Sequence, residues 1–193
     1  MNSWPLRCAL FALLALGACG PAAKTKSTVA SKAPAKVKPL GDAQSGYHQV
    51  MRSKTIDGGV IASERKPTAM VVFASWCGPC RQELAALGEI RQKFPTLRVI
   101  GINAYEEYAQ RSDQERLRTF LQANAPWMKT IVFGDSALLR DFGRVPNIPT
   151  LFVYDDKGGV VAEFRRNKRE PPTHDELEAA IASAVAASAA PTP

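Results

Sequence analysis

Short apolar runs alternate with helical patterns over most of the chain after residue 46. Five runs rich in Val, Ile, Leu or Phe are typical of strands, at 69–74, 97–103, 130–133, 150–154 and 160–164. Between the first two runs, the apolar positions of residues 78–94 follow helical spacing. This strand–helix–strand order predicts two parallel strands joined by a right-handed crossover.

Cap and turn residues divide the rest of this region. They predict three further helices, at about 112–124, 136–142 and 174–187. Ser112 or Asp113 is the expected cap of the first, and Asp135 and Gly143 are the expected cap and stop of the second. They also predict two hairpins, one of strands 47–54 and 60–62 around Asp57–Gly59 and one around 155–159. We therefore expect one α/β domain over residues 47–187, with a mixed central sheet and helices on both faces. A fraying tail should follow over 188–193.

The N-terminus combines one basic residue, Arg7, with an apolar run over 8–16. That run is too short to span a bilayer, which needs about 20 residues, and it is typical of a secretory signal. It ends in Leu-Gly-Ala-Cys at 16–19, which resembles a bacterial lipoprotein signal. We predict a signal peptide over 1–18 and a lipid on Cys19. The alternative is ordinary cleavage, which would leave Cys19 removed or free.

The segment after Cys19 is rich in Ala, Lys, Pro, Ser and Thr. It has too few large apolar residues to offset the chain entropy lost on folding, so we predict a disordered tether over 19–46. Of the net charge of +7, Arg7 contributes one and residues 20–46 contribute four, which leaves two for the rest. The folded part is therefore near neutral, and a nucleic-acid partner is not expected. Gly20, which is not Asp, favours the outer membrane of a two-membrane bacterium by the lipoprotein resemblance.

The most specific chemical signal is a Cys-x-x-Cys motif between the strand over 69–74 and the helix over 78–94. Cys77 falls at the predicted exposed helix N-terminus, where free backbone N–H groups favour a thiolate, and Cys80 lies one turn inside. This layout is typical of thiol–disulfide exchange. A zinc site is the alternative, but it needs four ligands; the other cysteines lie in the leader and the two histidines are far apart. We expect no metal, and no cofactor besides the redox-active Cys77–Cys80 disulfide.

Two motifs together resemble the thioredoxin superfamily, namely Trp-Cys-Gly-Pro-Cys at 76–80 and Ile-Pro-Thr at 148–150. Arg81 and Glu83 narrow the resemblance to the extracytoplasmic TlpA/ResA-like thiol–disulfide oxidoreductases. The resemblance covers about residues 47–184, and it implies a thioredoxin-like fold.

The resemblance also implies roles for individual residues. Cys77 attacks the substrate disulfide, and Cys80 then resolves the mixed disulfide. Glu83 is the expected proton acceptor of Cys80, because Val71 stands where cytoplasmic thioredoxins carry a buried acid; a solvent-facing glutamate is the alternative. A cis bond is expected before Pro149. The residues expected to contact substrate are Trp76, Gly78, Pro79, Ile148 and Pro149.

By this resemblance we expect a membrane-anchored, monomeric reductase of disulfide-containing cell-envelope proteins that faces the periplasm. The Gly-Pro spacer of the motif is the one found in reducing thioredoxins. Cytochrome c maturation is one expected setting, and a membrane electron donor should keep the cysteines reduced. The alternatives are an oxidase or isomerase of the same fold, or a non-catalytic binding or chaperone module whose disulfide is structural.

A basic cluster follows the last predicted strand. We interpret it as a charged, solvated edge that prevents strand-to-strand aggregation, with a docking patch for an acidic partner as the alternative. Its members are Arg165, Arg166, Lys168 and Arg169.

Overall fold

The computed structural model describes residues 41–106, 114–166 and 172–189. The elements in chain order are α1 (Ala43–Met51), β1 (Thr68–Phe73), α2 (Gly78–Lys93), β2 (Arg98–Ala104), α3 (Gln114–Asn124), β3 (Thr130–Gly134), α4 (Ser136–Asp141), β4 (Thr150–Tyr154), β5 (Val160–Phe164) and α5 (His174–Ala189). The leader, Cys19 and the tether up to residue 40 lie outside the described residues, as do Ser112 and Asp113, the expected caps of α3.

The five strands form one mixed sheet in the order β3-β2-β1-β4-β5. β1 pairs parallel with β2 and antiparallel with β4, and β2 pairs parallel with β3. Every residue of the central strand β1 is buried, which explains why its apolar run is continuous rather than alternating. The predicted strand–helix–strand unit and the hairpin of β4 and β5 are both confirmed.

Alternate residues of β1 face two separate parts of the core. Ala69, Val71 and Phe73 pack with residues of α2, α3 and α5. Met70 and Val72 pack instead with residues of α1 and α4. Because successive side chains of a strand point to opposite faces, this division places helices on both faces of the sheet, as predicted.

The first predicted hairpin is wrong, and so is the assignment of residues 41–46 to the tether. Residues 43–51 form α1, and Asp42 caps it by accepting a hydrogen bond from Ser45 N at 2.8 Å. The helix buries Ala43, Gly46, Tyr47 and Val50, which lie at helical spacing. Of the hairpin there remains an isolated bridge between Lys54 and Val60.

Gly46 explains why this helix is hard to recognise from the sequence. Glycine is a poor helix former, but a Cβ at this position would collide with the ring of Phe142. The close approach of α1 to the segment after α4 therefore requires a residue without a side chain.

The ends of the last two helices show one confirmed prediction and one correction. Asp135 caps α4 by accepting from Leu138 N at 2.8 Å, and Gly143 follows with φ of +80°, as expected for a helix stop. α5 continues two residues past the predicted Ala187. Ser188 accepts from Asp156 N at 3.0 Å, so this part of the expected tail is held against the β4–β5 turn.

Candidate active site

The two cysteines of the motif form a disulfide at the start of α2. The S–S distance is 2.11 Å, Cys77 is the N-cap residue of the helix, and its Sγ accepts from Cys80 N at 3.2 Å. Pro79 lies in the first turn, where a missing N–H costs no helical hydrogen bond. The strand-to-helix placement predicted for the pair is confirmed.

The exposure of Cys77 differs from the expectation of an exposed helix N-terminus. Only 3% of Cys77 is exposed, and Cys80 is fully buried. Cys77 lines a cleft of about 360 Å³. The cleft is lined by Trp76, Cys77, Gly78, Pro79, Tyr105, Pro146, Asn147 and Ile148.

The cleft brings together the expected substrate-contact residues from two distant parts of the chain. The Ile148–Pro149 bond is cis, as the resemblance implied. Ile148 forms part of the wall opposite the cysteine motif, whereas Pro149 is buried beside it. Thr150 Oγ1 donates to Asn147 O at 2.8 Å and fastens this loop to the start of β4.

Tyr105 is a cleft residue that the sequence analysis did not find. It has φ of +63°, a conformation that is uncommon for a residue with a side chain. Its carbonyl accepts from Trp76 Nε1 at 2.8 Å, and its hydroxyl donates to Val145 O. Tyr105 thereby links the cysteine loop to the cis-proline loop and holds the ring of Trp76, which is 37% exposed, beside the cleft.

Glu106 was also missed, and it secures the loop that precedes the cysteines. Its carboxylate accepts from Ser75 N at 2.6 Å, from Ser75 Oγ at 2.7 Å and from Asn103 Nδ2 at 2.7 Å. The available sequence signal was Asn103, a polar residue at the carboxyl end of a buried strand, where sites of open α/β sheets collect.

Glu83 is buried, with 6% of the residue exposed. It lies three residues after Cys80, so both occupy the buried face of α2. Within the described residues its Oε1 has no hydrogen-bond partner. Burial raises the pKa of Glu83 to about 7, against an opposing effect of the positive charge of Arg166. The solvent-facing alternative is therefore wrong, and Glu83 is a buried carboxyl group, on the same helix as the disulfide, with a pKa near neutrality.

The solvated-edge interpretation of the basic cluster is wrong for its two described members. Arg165 donates to Arg144 O and to Phe142 O, both at 2.7 Å, and its guanidinium lies over the ring of Phe152. Arg166 is partly buried, and its Nη1 is buried without a hydrogen-bond partner in the described part of the chain. Lys168 and Arg169 lie outside the described residues.

Residues 41–106, 114–166 and 172–189 contain no group of three or more side chains suited to hold a metal ion. Over the same residues, no helix combines the length and the apolar character that crossing a membrane requires.

Known proteins resemble this chain in sequence and in structure, although no family model matches it. Sporulation thiol-disulfide oxidoreductase A of Bacillus subtilis is 24% identical over 139 residues, which cover 70% of this chain and 79% of that protein. A thioredoxin-like protein from Aeropyrum pernix superposes with a TM-score of 0.58 at 22% identity, over 70% of this chain and 91% of that one. A secreted Mycobacterium tuberculosis disulfide oxidoreductase homologous to E. coli DsbE superposes with a TM-score of 0.56 at 19% identity. The superposition covers 70% of this chain and 98% of that one.

These similarities agree with the geometry of the site. The mixed sheet, the disulfide at the start of α2 and the cis-proline loop facing it occur together in one fold. The chain has the thioredoxin-like fold, and its sequence is similar to that of a thiol–disulfide oxidoreductase.

Proposed function

We propose that this protein is a thiol–disulfide oxidoreductase that reduces disulfides in proteins of the cell envelope. The observation that carries the proposal is the Cys77–Cys80 pair at a helix N-terminus, opening into a cleft whose far wall is the cis-proline loop. A helix N-terminus stabilises a thiolate on Cys77 once the pair is reduced. The thiolate is the attacking species in disulfide exchange.

The first step is attack by the Cys77 thiolate on one sulfur of the substrate disulfide. A bond forms between Cys77 and that sulfur, the substrate S–S bond breaks, and the electron pair leaves with the second substrate sulfur, which takes up a proton. The cleft of about 360 Å³, which Trp76 and Ile148 both line, is the proposed site for an extended segment of the substrate. The half-buried Ile148 presents its backbone to that segment, and Pro149 packs behind it.

The second step resolves the mixed disulfide. The S–H bond of Cys80 breaks, its sulfur attacks Cys77, and the bond from Cys77 to the substrate breaks. The substrate sulfur leaves with the electron pair and is protonated. The enzyme returns to the Cys77–Cys80 disulfide, and two electrons have passed to the substrate.

Glu83 is the proposed acceptor of the proton that Cys80 loses in this step. A base is needed because burial disfavours a thiolate on Cys80. Glu83 lies one helical turn away, is buried and has a pKa of about 7, so at neutral pH it exists in both the accepting and the protonated form.

The reductase direction requires a supply of two electrons per cycle, and a membrane electron donor is proposed for it. The lipid on Cys19 would hold the domain, as a monomer, on the membrane where such a donor lies, with the outer membrane favoured by Gly20. The disulfide of apocytochrome c, which the enzyme would reduce to thiols, is proposed among the substrates. The leader sequence supports the lipid anchor, and the Gly78–Pro79 spacer supports the reductase direction. The similarity to a secreted oxidoreductase supports a location in the cell envelope.

One observation favours a different class of function. Cys77 is almost fully covered, as expected for a structural disulfide in a non-catalytic binding or chaperone module. An insulin-reduction assay with dithiothreitol separates the two. We expect turnover by the wild type and none by Cys77→Ser. A wild type that is no faster than Cys77→Ser would refute the oxidoreductase and favour the module.

The direction of the reaction is tested by a redox titration of the Cys77–Cys80 pair. A potential near that of thioredoxin, about −270 mV, is expected for a reductase. A potential near −120 mV, as in strong oxidants of this fold, would instead assign the oxidase alternative.

A further inference from the structure

A second cavity adjoins the cleft that Cys77 lines. Its volume is about 560 Å³, and Tyr105 and Pro146 form part of the wall of both cavities. The rest of its wall comes from residues 134–136, from the second half of α4 and from residues 143–145. We call it the basic cavity, because Arg140 and Arg144 line it. A polypeptide bound in the cleft therefore has a second concave surface next to it.

One stretch of chain runs along both cavities. Gly143 and Arg144 line the basic cavity, Asn147 and Ile148 line the cleft, and Pro146 lines both. Four residues of chain span at most about 14 Å, so the Cα atoms of Arg144 and Ile148 lie within that distance. An extended substrate segment that passes Ile148 covers the same distance in about four residues. The basic cavity is thus within reach of residues close to the substrate cysteine.

The two cavities differ in charge. No charged side chain occurs among the described residues that line the cleft. The basic cavity has two arginines, Arg140 and Arg144, and one acid, Asp135. Oδ1 of Asp135 already caps α4, where it accepts from Leu138 N at 2.8 Å. The charge next to the cleft therefore favours a negative group on the substrate.

The guanidinium groups of Arg140 and Arg144 are not used to hold the fold together. Both residues are exposed, and neither side chain forms a hydrogen bond or an ion pair with a described residue. Their recorded bonds are those of the backbone, such as Arg140 O with Gly143 N at 3.0 Å and Arg144 O with Arg165 Nη1 at 2.7 Å. The two guanidinium groups are therefore available to a ligand, and their planar set of N–H donors matches a carboxylate.

We propose that the basic cavity binds an acidic residue of the substrate protein, an Asp or Glu within about four residues of the cysteine that Cys77 attacks. Its carboxylate accepts hydrogen bonds from Arg140 or Arg144, which makes these two arginines specificity-determining residues. The inference rests on the proposed function, because it assigns the substrate class of the same site. It predicts a preference for disulfides in acidic segments over those in neutral or basic ones.

The expected preference is moderate, because the two arginines are exposed. Pairs of this kind should raise the second-order rate constant of mixed-disulfide formation about three- to tenfold over that of a matched neutral segment. The gain should lie in the dependence on substrate concentration and not in the maximal rate, because the carboxylate is bound equally before and during the reaction. Added salt should reduce it by screening the charges.

The test uses the reduced full chain and three synthetic peptides, each with one cysteine in a mixed disulfide with 5-thio-2-nitrobenzoate. The peptides carry Asp, Asn or Lys at the third and fourth positions on both sides of the cysteine. Attack by Cys77 forms a bond to the peptide sulfur and breaks the bond to thionitrobenzoate, which leaves with the electron pair and is coloured. Cys77→Ser is the blank for the other thiols of the chain. We expect the rates to fall in the order Asp, Asn, Lys.

Variants of the basic cavity should change the ratio of the Asp rate to the Asn rate. The double variant Arg140→Gln/Arg144→Gln should lower this ratio to below about twofold, and Arg140→Lys/Arg144→Lys should retain most of it. Arg144→Glu should shift the preference towards the Lys peptide. The matched control Arg52→Gln/Arg118→Gln removes two exposed arginines that line neither cavity, and it should keep the ratio. A ratio within one enzyme is insensitive to partial loss of folded protein.

The possible outcomes distinguish the inference from the proposed function. If the wild type reacts with no peptide faster than Cys77→Ser does, thiol–disulfide exchange fails, and the inference fails with it. If it reacts equally fast with the Asp and Asn peptides, the proposed function stands and the inference is overturned. An equal fall of the ratio in the control Arg52→Gln/Arg118→Gln would indicate attraction by net charge alone and would also overturn it. So would a wild-type dimer that Arg140→Gln/Arg144→Gln converts to monomers, because a second copy of this chain would then occupy the surface.

Discussion

Replacing Glu83 by Gln should make the oxidised protein more stable at neutral and alkaline pH. Glutamine has nearly the same shape as the protonated acid but carries no charge at any pH. The buried Glu83, in contrast, must ionise inside the domain when the pH rises above its pKa of about 7. The two proteins should therefore differ little at pH 5 and differ most above pH 8.

The sign and size of the effect follow from proton linkage. The pKa of Glu83 rises from its usual 4.5 in the unfolded chain to about 7 in the folded protein. Below pH 4.5 Glu83 is neutral in both states and its contribution to stability is fully present. This contribution is lost as the pH rises to about 7, because the unfolded chain ionises in this range and folding must take up a proton. At 1.36 kcal/mol per pH unit, the interval corresponds to about 3 kcal/mol. The free energy of unfolding of Glu83→Gln should exceed that of the wild type by up to this amount at pH 8.

The measurement is urea-induced unfolding of both oxidised proteins at pH 5, 6, 7 and 8, with linear extrapolation of the free energy. Asp57→Asn is the matched control, because Asp57 is a carboxylate in an exposed turn. Its difference from the wild type should stay nearly constant with pH. If the curves of Glu83→Gln and the wild type are also parallel, Glu83 has an ordinary pKa, and the proposed proton transfer loses its physical basis.

Three shorter predictions concern other parts of the chain. In the reduced protein Cys77 should react first with iodoacetamide, because it alone of the pair lines the cleft; faster modification of Cys80 would reverse the two roles. Gly46→Ala should lower the free energy of unfolding by about 1–3 kcal/mol in urea, because the added Cβ collides with the Phe142 ring. Cys19→Ala should release the protein from the membrane fraction and abolish palmitate labelling, and a wild type without label would refute the lipid anchor.

Local sequence patterns predicted most of the helices and strands and the disulfide of the active site. The apolar runs of β1 to β5 and the helical spacing of α2 predicted the sheet, because strands and helices bury side chains at different periods. The Cys-x-x-Cys spacing predicted the disulfide, because two residues of separation at a helix start bring the sulfur atoms within bonding distance. These features depend on residues close together in the chain.

The hairpin predicted over residues 47–62 was wrong at α1, because the stability of this helix depends on residues that are distant in the chain. Asp57–Gly59 is a strong turn signal, and Gly46 weakens any helix prediction before it. The helix forms because α4 and the sheet cover its apolar face, and because Tyr154 Oη donates to Ala43 O at 2.8 Å across the domain. Tertiary packing of this kind overrides local propensity.

The tertiary structure alone decided the surroundings of the disulfide. Tyr105 and Glu106 reach the cysteine loop only because β1 and β2 are neighbours in the sheet, which aligns the loops at their carboxyl ends. Glu83 was identifiable as a candidate from its spacing, but its burial, and with it a pKa near neutrality, depends on what packs against α2. Arg166, which follows the edge strand β5, carries a positive charge that opposes this rise in the pKa of Glu83. Electric fields act through space and not along the chain, so no sequence pattern of the second turn of α2 records that charge.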